Sequence, residues 1–250
     1  MGTLITRRRE AVLMFSPRAN LVAMLAFGVL VANCGDAADD VSGELTLSDS
    51  SPKAEYEDLQ PPRGDGPLSL EETLAERRSV REYASEPLSQ EAISQLLWAA
   101  QGVTSDTGAR TAPSAGGLYP LELYLLTGQG VFHYLPDGHR LKRLAGDDLR
   151  EPVAVAGLGQ GALFEAPAVV VLTAVFDRTA GKYGERAERY VVLEAGHCAQ
   201  NILLQAVALG LGAVPIGAFN DAEIASVLDL PAGHEPLYLI PIGQPELVHD

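Results

Sequence analysis

Apolar residues recur at helical spacing in five stretches of the chain, and residues that commonly cap helices precede three of them. Ser69, Ser89 and Asn220 stand where a side-chain oxygen can accept from the first free backbone N–H groups. Ser69 and Asn220 each have a glutamate three residues on, which is the capping-box spacing. The pattern predicts helices over residues 69–78, 91–101, 147–156, 186–209 and 220–228.

Strand patterns lie between these helices. From Leu121 the segments LELYLL, VFHYL and RLKRL alternate in polarity and are separated by TGQG and PDG turns, which predicts a three-stranded meander. Residues 166–176 form a nearly continuous β-branched run, typical of a central strand covered on both faces. GLGAVPIGAF and LYLIPIG complete the set. This order of helices and strands predicts an α+β fold, a three-layer α/β/α sandwich around a mixed sheet.

The first 33 residues have a different pattern. Arg7, Arg8 and Arg9 precede an apolar run from Leu21 to Ala32, which is short for a bilayer span but fits a signal-peptide core. Cys34 follows, so VANC resembles a bacterial lipobox, although Asn33 stands where that motif has a smaller residue. We expect residues 1–33 to be a lipoprotein-type signal peptide and Cys34 to be lipidated, which makes the protein an exported, membrane-anchored lipoprotein of a bacterial cell envelope. Cleavage after Ala37 and a retained N-terminal anchor are the alternatives.

Acidic residues dominate the next segment. Residues 35–66 hold nine acids and two bases, so residues 34–66 are predicted to be a disordered acidic tether before a folded domain at 67–250. The formal charge of −15 becomes −18 when residues 1–33, with four arginines and one glutamate, are removed. Such a charge disfavours a nucleic-acid partner. Two cysteines, one of them Cys34, leave no intrachain disulfide framework.

Two motifs suggest a ligand. ERRSVREY at 76–83 clusters Arg77, Arg78, Ser79 and Arg81, whose guanidinium groups match phosphate geometry; the alternative is a solvated basic helix end. PSAGG at 113–117 can bring backbone amides flat against a ligand, or it is an ordinary turn. It matches neither a Walker loop nor a dinucleotide fingerprint.

These motifs, with KYGERAERY at 182–190, LEAGHCAQNILLQAVALGLG at 193–212 and PIGAF at 215–219, occur in the order of nitroreductase-like flavoenzymes. The chain resembles the SagB/ThcOx branch of that superfamily from about residue 70 to 245. The resemblance implies a nitroreductase-like sandwich and an FMN-binding homodimer with the long helix at its interface. It implies that the FMN phosphate and ribityl chain are held by Arg77, Arg78, Ser79 and Arg81, and that the ring is contacted by Pro113, Ser114, Gly116, Gly117, Pro215, Ile216 and Gly217. The family often has a further basic pair near the C-terminus, and here PIGQPELVHD has no Lys or Arg.

Lys182 and Tyr183 are the candidate catalytic pair. In azoline-oxidising members of the branch a Lys-Tyr pair at this place is catalytic, and the alternative is a loop before a helix in which Tyr183 packs. Adjacent His197 and Cys198 point about 100° apart on a helix, so Cys198 is expected in the core and His197 in a core or interface. Glu194 is expected to be a buried carboxylate paired with an arginine. The other histidines lack ligand spacing, so no metal site is expected.

The function that follows from the resemblance is an FMN-dependent oxidoreductase with two-step hydride transfer through flavin N5. It would exchange electrons with small molecules, including NAD(P)H. The alternatives are an azoline oxidase of peptide maturation, against which the export signal argues, and a non-catalytic, lipid-tethered flavin- or ligand-binding module.

Overall fold

A seven-stranded sheet with helices on both faces forms the part of the chain that the computed structural model describes, residues 55–246. The strands are β1 (Tyr56–Asp58), β2 (Leu121–Thr127), β3 (Gly130–Leu135), β4 (Arg140–Ala145), β5 (Ala168–Val175), β6 (Gly212–Ala213) and β7 (His234–Gly243). The helices are α1 (Leu70–Glu76), α2 (Gln90–Gln101), α3 (Arg150–Ala156), α4 (Gly161–Glu165), α5 (Phe176–Tyr183), α6 (Ala187–Ala208) and α7 (Asp221–Val227).

The sheet has the strand order β1-β4-β3-β2-β5-β7-β6. Each pair of neighbouring strands is antiparallel, and a single parallel bridge joins Ser79 to Ala213 at the β6 edge. The β-branched run forms β5, with Val169, Val170 and Val171 fully buried, because helices cover both of its faces. The three-layer α+β prediction is therefore confirmed.

Two apolar cores lie on opposite faces of the sheet. Alternate residues of β5 divide between them: Val170 packs in the core with α2 and α6, whereas Val169 packs in the core with α3, α4 and α7. This division follows from the period of two along a strand. The core on the α2 and α6 side supports the candidate site.

The helix boundaries follow the predicted caps closely. The Glu72 N–H donates to Ser69 Oγ at 3.2 Å and the Ser69 N–H donates to the Glu72 carboxylate at 2.7 Å, so the capping box is formed. Ser89 caps α2 through the Ala92 N–H at 3.1 Å, and the long helix differs from its prediction by one residue at each end. The strand expected in GLGAVPIGAF is only the two-residue β6, followed by an isolated bridge at Ile216.

Residues 55–66 correct the prediction of a disordered tether. Tyr56–Asp58 forms β1, which pairs with β4, and the Arg63 N–H donates to Gln95 Oε1 at 2.9 Å on α2. Disorder is therefore wrong for this part of the 34–66 segment, because backbone pairing with β4 holds it despite its acidic composition. The rest of the segment, and the signal peptide with Cys34, lie outside the described residues.

Helix α6 buries only part of its surface within this chain. Val191, Ala195 and Cys198 face the core, whereas the neighbouring Val192 and Leu193 are 52% and 53% exposed. Two adjacent apolar side chains therefore face outward on a side of the helix that also exposes Arg189 and His197. No helix within residues 55–246 has both the length and the apolar content needed to cross a bilayer.

Candidate functional site

The glycine loop and the Lys182–Tyr183 pair form one site. Gly116 has φ +68°, a left-handed conformation that favours glycine. A Cβ at Gly116 would lie 2.8 Å from Lys182 Nζ and 2.8 Å from Tyr183 Oη. The pair ends α5, rather than lying in a loop, and its polar tips converge on the bare Gly116 backbone. The left-handed backbone favours glycine here, and a larger residue would displace the lysine and tyrosine tips.

Hydrogen bonds hold the loop in this position. The Tyr119 N–H donates to Ser114 Oγ at 2.9 Å, and the Gly117 N–H donates to the Ser114 carbonyl at 3.1 Å. Arg178, one helical turn before Lys182, donates to the Tyr119 carbonyl at 3.0 Å. Helix α5 is therefore tied directly to the loop that its last residues contact.

Buried polar groups lie beneath the loop. Glu194 on α6 is 2% exposed; burial raises the pKa of its carboxyl, and Ser114 and Arg110 oppose that rise. Its Oε1 has no hydrogen-bond partner among residues 55–246, and the expected ion pair with an arginine is not formed there. Arg110 instead donates to Gln101 Oε1 at 3.1 Å. Glu194 thus places a buried carboxyl group next to Ser114 of the glycine loop.

The arginine segment, residues 77–81, lies apart from the glycine loop, on the β6 edge of the sheet. The Val80 N–H donates to the Ala213 carbonyl at 3.2 Å, which fixes the backbone of residues 77–81. Arg78 donates only to backbone carbonyls, and Arg81 is 3.5 Å from the Ser79 carbonyl. None of the ion pairs within residues 55–246 includes Arg77, Arg78 or Arg81. Three guanidinium groups without a carboxylate partner suit an anionic ligand.

Pro215, Ile216 and Gly217 continue from the same edge. Ile216 and Leu239 exchange two backbone hydrogen bonds of 2.8 and 2.9 Å, so this segment lies against β7. The structure therefore brings the candidates together in two groups, 77–81 with 215–217 and 113–117 with the Lys-Tyr pair. No hydrogen bond or bridge within the described range joins one group to the other.

His197 and Cys198 do not act together. His197 is exposed on α6, whereas Cys198 is fully buried, and burial raises the pKa of its thiol to about 12. Cys198 is in the core, as predicted, whereas His197 is outside the core of this chain, which leaves the interface alternative for it. The sequence did not identify Arg178 and Tyr119 as residues of this site. No helix was predicted over α5, so Arg178 was not placed near Lys182. The signal that could have found Arg178 is its position four residues before Lys182, which puts both on one face of a helix.

The chain is similar to known proteins over most of the described range. The family model described as the nitroreductase family matches residues 74–244. A protein named as a nitroreductase from Methanocaldococcus jannaschii is 43% identical over 183 residues, covering 71% of this chain and 91% of the relative. The FMN reductase (NAD(P)H) of Bacillus subtilis is 27% identical, covering 69% of this chain and 64% of its own length.

Two further similarities extend the comparison. The microcin B17-processing protein McbC of Escherichia coli is 28% identical over 132 residues, about half of each chain. The crystal structure of a protein named as a nitroreductase from Ralstonia eutropha superposes with a TM-score of 0.69 at 31% identity, covering 77% of this chain and 90% of that one. The chain therefore has the fold of that crystal structure over most of the length of both chains.

Proposed function

Because the chain belongs to the nitroreductase family, we propose that this oxidoreductase uses FMN as its cofactor, held by the arginine segment and the glycine loop. The observation that supports this most strongly is the convergence of Lys182 Nζ and Tyr183 Oη on the left-handed Gly116. FMN, when bound, would supply two-electron hydride transfer at N5. Small molecules, including NAD(P)H, would be the electron donor and acceptor, and the FMN reductase relative supports that class.

The residues present fit such a cofactor. Gly117 has φ +66° and nothing within 4 Å of the position where a Cβ would be, so the backbone of the loop is open to a flat ring. The three arginines of residues 77–81 provide positive charge that no carboxylate of the described chain neutralises. These arginines would hold the phosphate in place of the basic pair missing at the C-terminus.

Lys182 and Tyr183 would donate protons to the bound substrate or accept protons from it. Lys182 Nζ lies 5.4 Å from the centre of the Tyr183 ring, and the Tyr183 ring stands at 90° to Tyr190 with centres 5.1 Å apart. Packing against Tyr190 fixes the direction of the phenol, and Arg178 fixes the helix that carries both groups. A positioned ammonium and phenol can donate a proton to a reduced substrate or remove one from an oxidised substrate.

An absorption spectrum tests the cofactor. The purified chain incubated with FMN and desalted should retain flavin bands, and anaerobic NADH or NADPH should bleach them if nicotinamide is the donor. Arg77→Ala with Arg81→Ala should lose the flavin, whereas Arg140→Ala, which removes an exposed charge from β4, should keep it. A wild-type chain that retains no flavin would refute the proposal.

The exposed side of α6 supports a homodimer. Val192 and Leu193 are exposed apolar residues on the helix that the family resemblance places at the interface. Leu193→Glu should convert a dimer into a monomer in analytical ultracentrifugation. Val155 on α3 is 62% exposed on the opposite face of the sheet, so Val155→Glu is the matched control. A wild-type chain that sediments as a monomer would exclude the dimer.

Azoline oxidation is the second candidate, supported by the Lys-Tyr pair and by the similarity to the microcin-processing protein McbC. Conversion of a thiazoline-containing peptide to its thiazole, followed by mass spectrometry as a loss of two hydrogens, tests this reaction. Lys182→Ala with Tyr183→Phe should abolish it while flavin remains bound. If the wild-type chain reduces nitroaromatics or quinones but never oxidises the peptide, this candidate fails.

Export and lipid anchoring complete the proposal and rest on the sequence of residues 1–34. Metabolic labelling with a fatty acid in a bacterial host should tag the wild-type chain but not Cys34→Ser. Label in both chains, or in neither, would place the chain outside the lipoprotein class.

A further inference from the structure

A cavity of about 570 Å³ opens on the sheet face that carries α3 and α7. Strands β2, β3 and β4 form its floor, and the segment after α7 forms one side. Its residues are separate from the glycine loop and the arginine segment. A volume of this size suits a small organic molecule.

The polar side chains of the cavity hold one another in place. Glu122 accepts from His133 Nε2 at 2.7 Å and from Arg178. The Tyr124 hydroxyl is 2.8 Å from His234 Nδ1, and its ring stacks on His133 with ring centres 4.9 Å apart. These contacts make a fixed wall rather than a set of mobile surface groups.

The charged side chains of this wall differ in whether they have an ion-pair partner. Burial acts to raise the pKa of Glu122, but hydrogen bonds from His133 and Arg178 outweigh it and lower the pKa, so this anion already has its partners. Lys142 lies opposite His133 on the next strand and takes part in none of the ion pairs within residues 55–246. Lys142 is half-buried, whereas Asp229, the other carboxylate of the cavity, is exposed. The inner charge without a partner is therefore positive.

Apolar side chains complete the lining. Val131 and Leu228 are buried, and Leu149 is half-buried beside them. In the part of the chain that the structure describes, no three His, Cys, Asp or Glu residues are grouped to hold a metal. The chemistry of the cavity is thus one cation outside these ion pairs, a set of polar side chains bonded to one another, and hydrocarbon around them.

We propose that this cavity binds a small organic anion, an aromatic or branched carboxylate whose charge is met by Lys142 and whose body packs against Val131 and Leu228. The proposal does not rest on FMN, because no residue of the cofactor set lines the cavity. Arg178 is the one residue that the cavity shares with the glycine-loop site, through its separate bond to the Tyr119 carbonyl.

Histidine imidazole signals in NMR report on the cavity directly. The full chain, labelled at histidine, is titrated with benzoate and, in parallel, with neutral benzamide. The His133 and His234 signals should shift saturably with benzoate. The chain should bind benzamide at least about tenfold more weakly than benzoate, as expected for the loss of one charge-assisted hydrogen bond. His197, exposed on α6, is the reference for effects elsewhere.

Lysine variants separate charge from shape. Lys142→Met should weaken benzoate about tenfold or more, and Lys142→Arg should restore most of the affinity. Arg140→Met, on the same strand and face but outside the cavity, should bind like wild type. Equal melting temperatures of the three variants show that each is folded. No saturable shift of His133 and His234, equal binding of benzamide, or unchanged binding in Lys142→Met would each overturn the proposal.

Discussion

Replacing Gly116 by alanine should impair turnover much more than it impairs folding. At φ +68° a side chain strains the backbone, and the left-handed conformation costs an L-residue about 1–2 kcal/mol. For a chain of this size, that loss corresponds to a fall of about 2–8 °C in Tm. This part of the effect belongs to the backbone alone.

The second part of the effect falls on the catalytic candidates. The new Cβ would meet Lys182 Nζ and Tyr183 Oη at 2.8 Å, about 0.6 Å short of the 3.4 Å at which ordinary contact begins. Because both atoms are the ends of side chains, they can move away at little cost to folding. Misplacing reacting groups by about 1 Å can lower a rate about 10²-fold, so a displacement of this size should lower turnover about tenfold.

Gly117 provides the matched control. It has nearly the same conformation, φ +66°, but nothing lies within 4 Å of its Cβ position. Gly117→Ala should therefore show the same loss in urea unfolding as Gly116→Ala. Because the ring is proposed to lie against the Gly117 backbone, this variant should retain less flavin, but the turnover per flavin that remains bound should fall less than about twofold, since its Cβ meets neither Lys182 nor Tyr183. Flavin content is measured by absorbance for each variant, so that weaker cofactor binding is not counted as slower chemistry. Equal turnover per flavin in the two variants would refute the proposed contact between the loop and the Lys-Tyr pair.

Three further predictions concern groups away from the loop. Glu122→Gln should lower the free energy of unfolding by about 1–3 kcal/mol at pH 7. Because the folded pKa of Glu122 lies below its ordinary 4.5, the stabilisation by this carboxylate is present above pH 4.5 and is lost as the pH falls through the folded pKa. The stability of the variant, measured by unfolding at several pH values, should lack this acid-dependent part. In a Cys34→Ser chain, Cys198 should react with a thiol reagent at pH 8 only after denaturation, because it is fully buried with a pKa raised to about 12; rapid labelling of the native chain would contradict this. Ser94→Ala removes a 2.6 Å hydrogen bond to the Gln60 carbonyl and should speed hydrogen exchange of residues 55–63 while leaving β5 protected, and uniform loss of protection would be inconsistent with a local role.

Local signals explain why most helices could be predicted. Ser69, Ser89 and Asn220 each cap a helix through a side chain that is read directly from the sequence, and β5 is predicted by its β-branched composition. The stacking of helices on two sides of the sheet follows from which faces these elements leave apolar. The three-layer fold was therefore accessible without the structure.

Elements that depend on distant partners could not be predicted in this way. Strand β1 lies in an acidic segment whose composition indicates disorder, and it is ordered by pairing with β4, about 85 residues further along the chain. Helix α5 has the sequence FDRTAGKY, with a glycine and few strong helix formers, and α6 packs against it. The contact of Gly116 with Lys182 depends on both.

The candidate site shows the same limit. The sequence motifs identified most of its members, but their division into two separate groups within one chain depends on the positions of the sheet edges. Glu122 and His133 lie on the neighbouring strands β2 and β3, but Arg178 is 56 residues from Glu122 and follows no shared motif, so the cluster of the three emerges only from the fold.

The bridge between Ser79 and Ala213 has a consequence for solubility. Strand β6 is the last strand of the sheet, and unpaired edge strands invite association with other chains. The arginine segment covers this edge through the Val80 to Ala213 hydrogen bond and places charged side chains along it. The segment proposed to bind phosphate therefore also covers an edge strand that could otherwise pair with another chain. Substitutions that break the hydrogen bond between Val80 and Ala213 should lower the yield of soluble protein as well as the proposed redox activity.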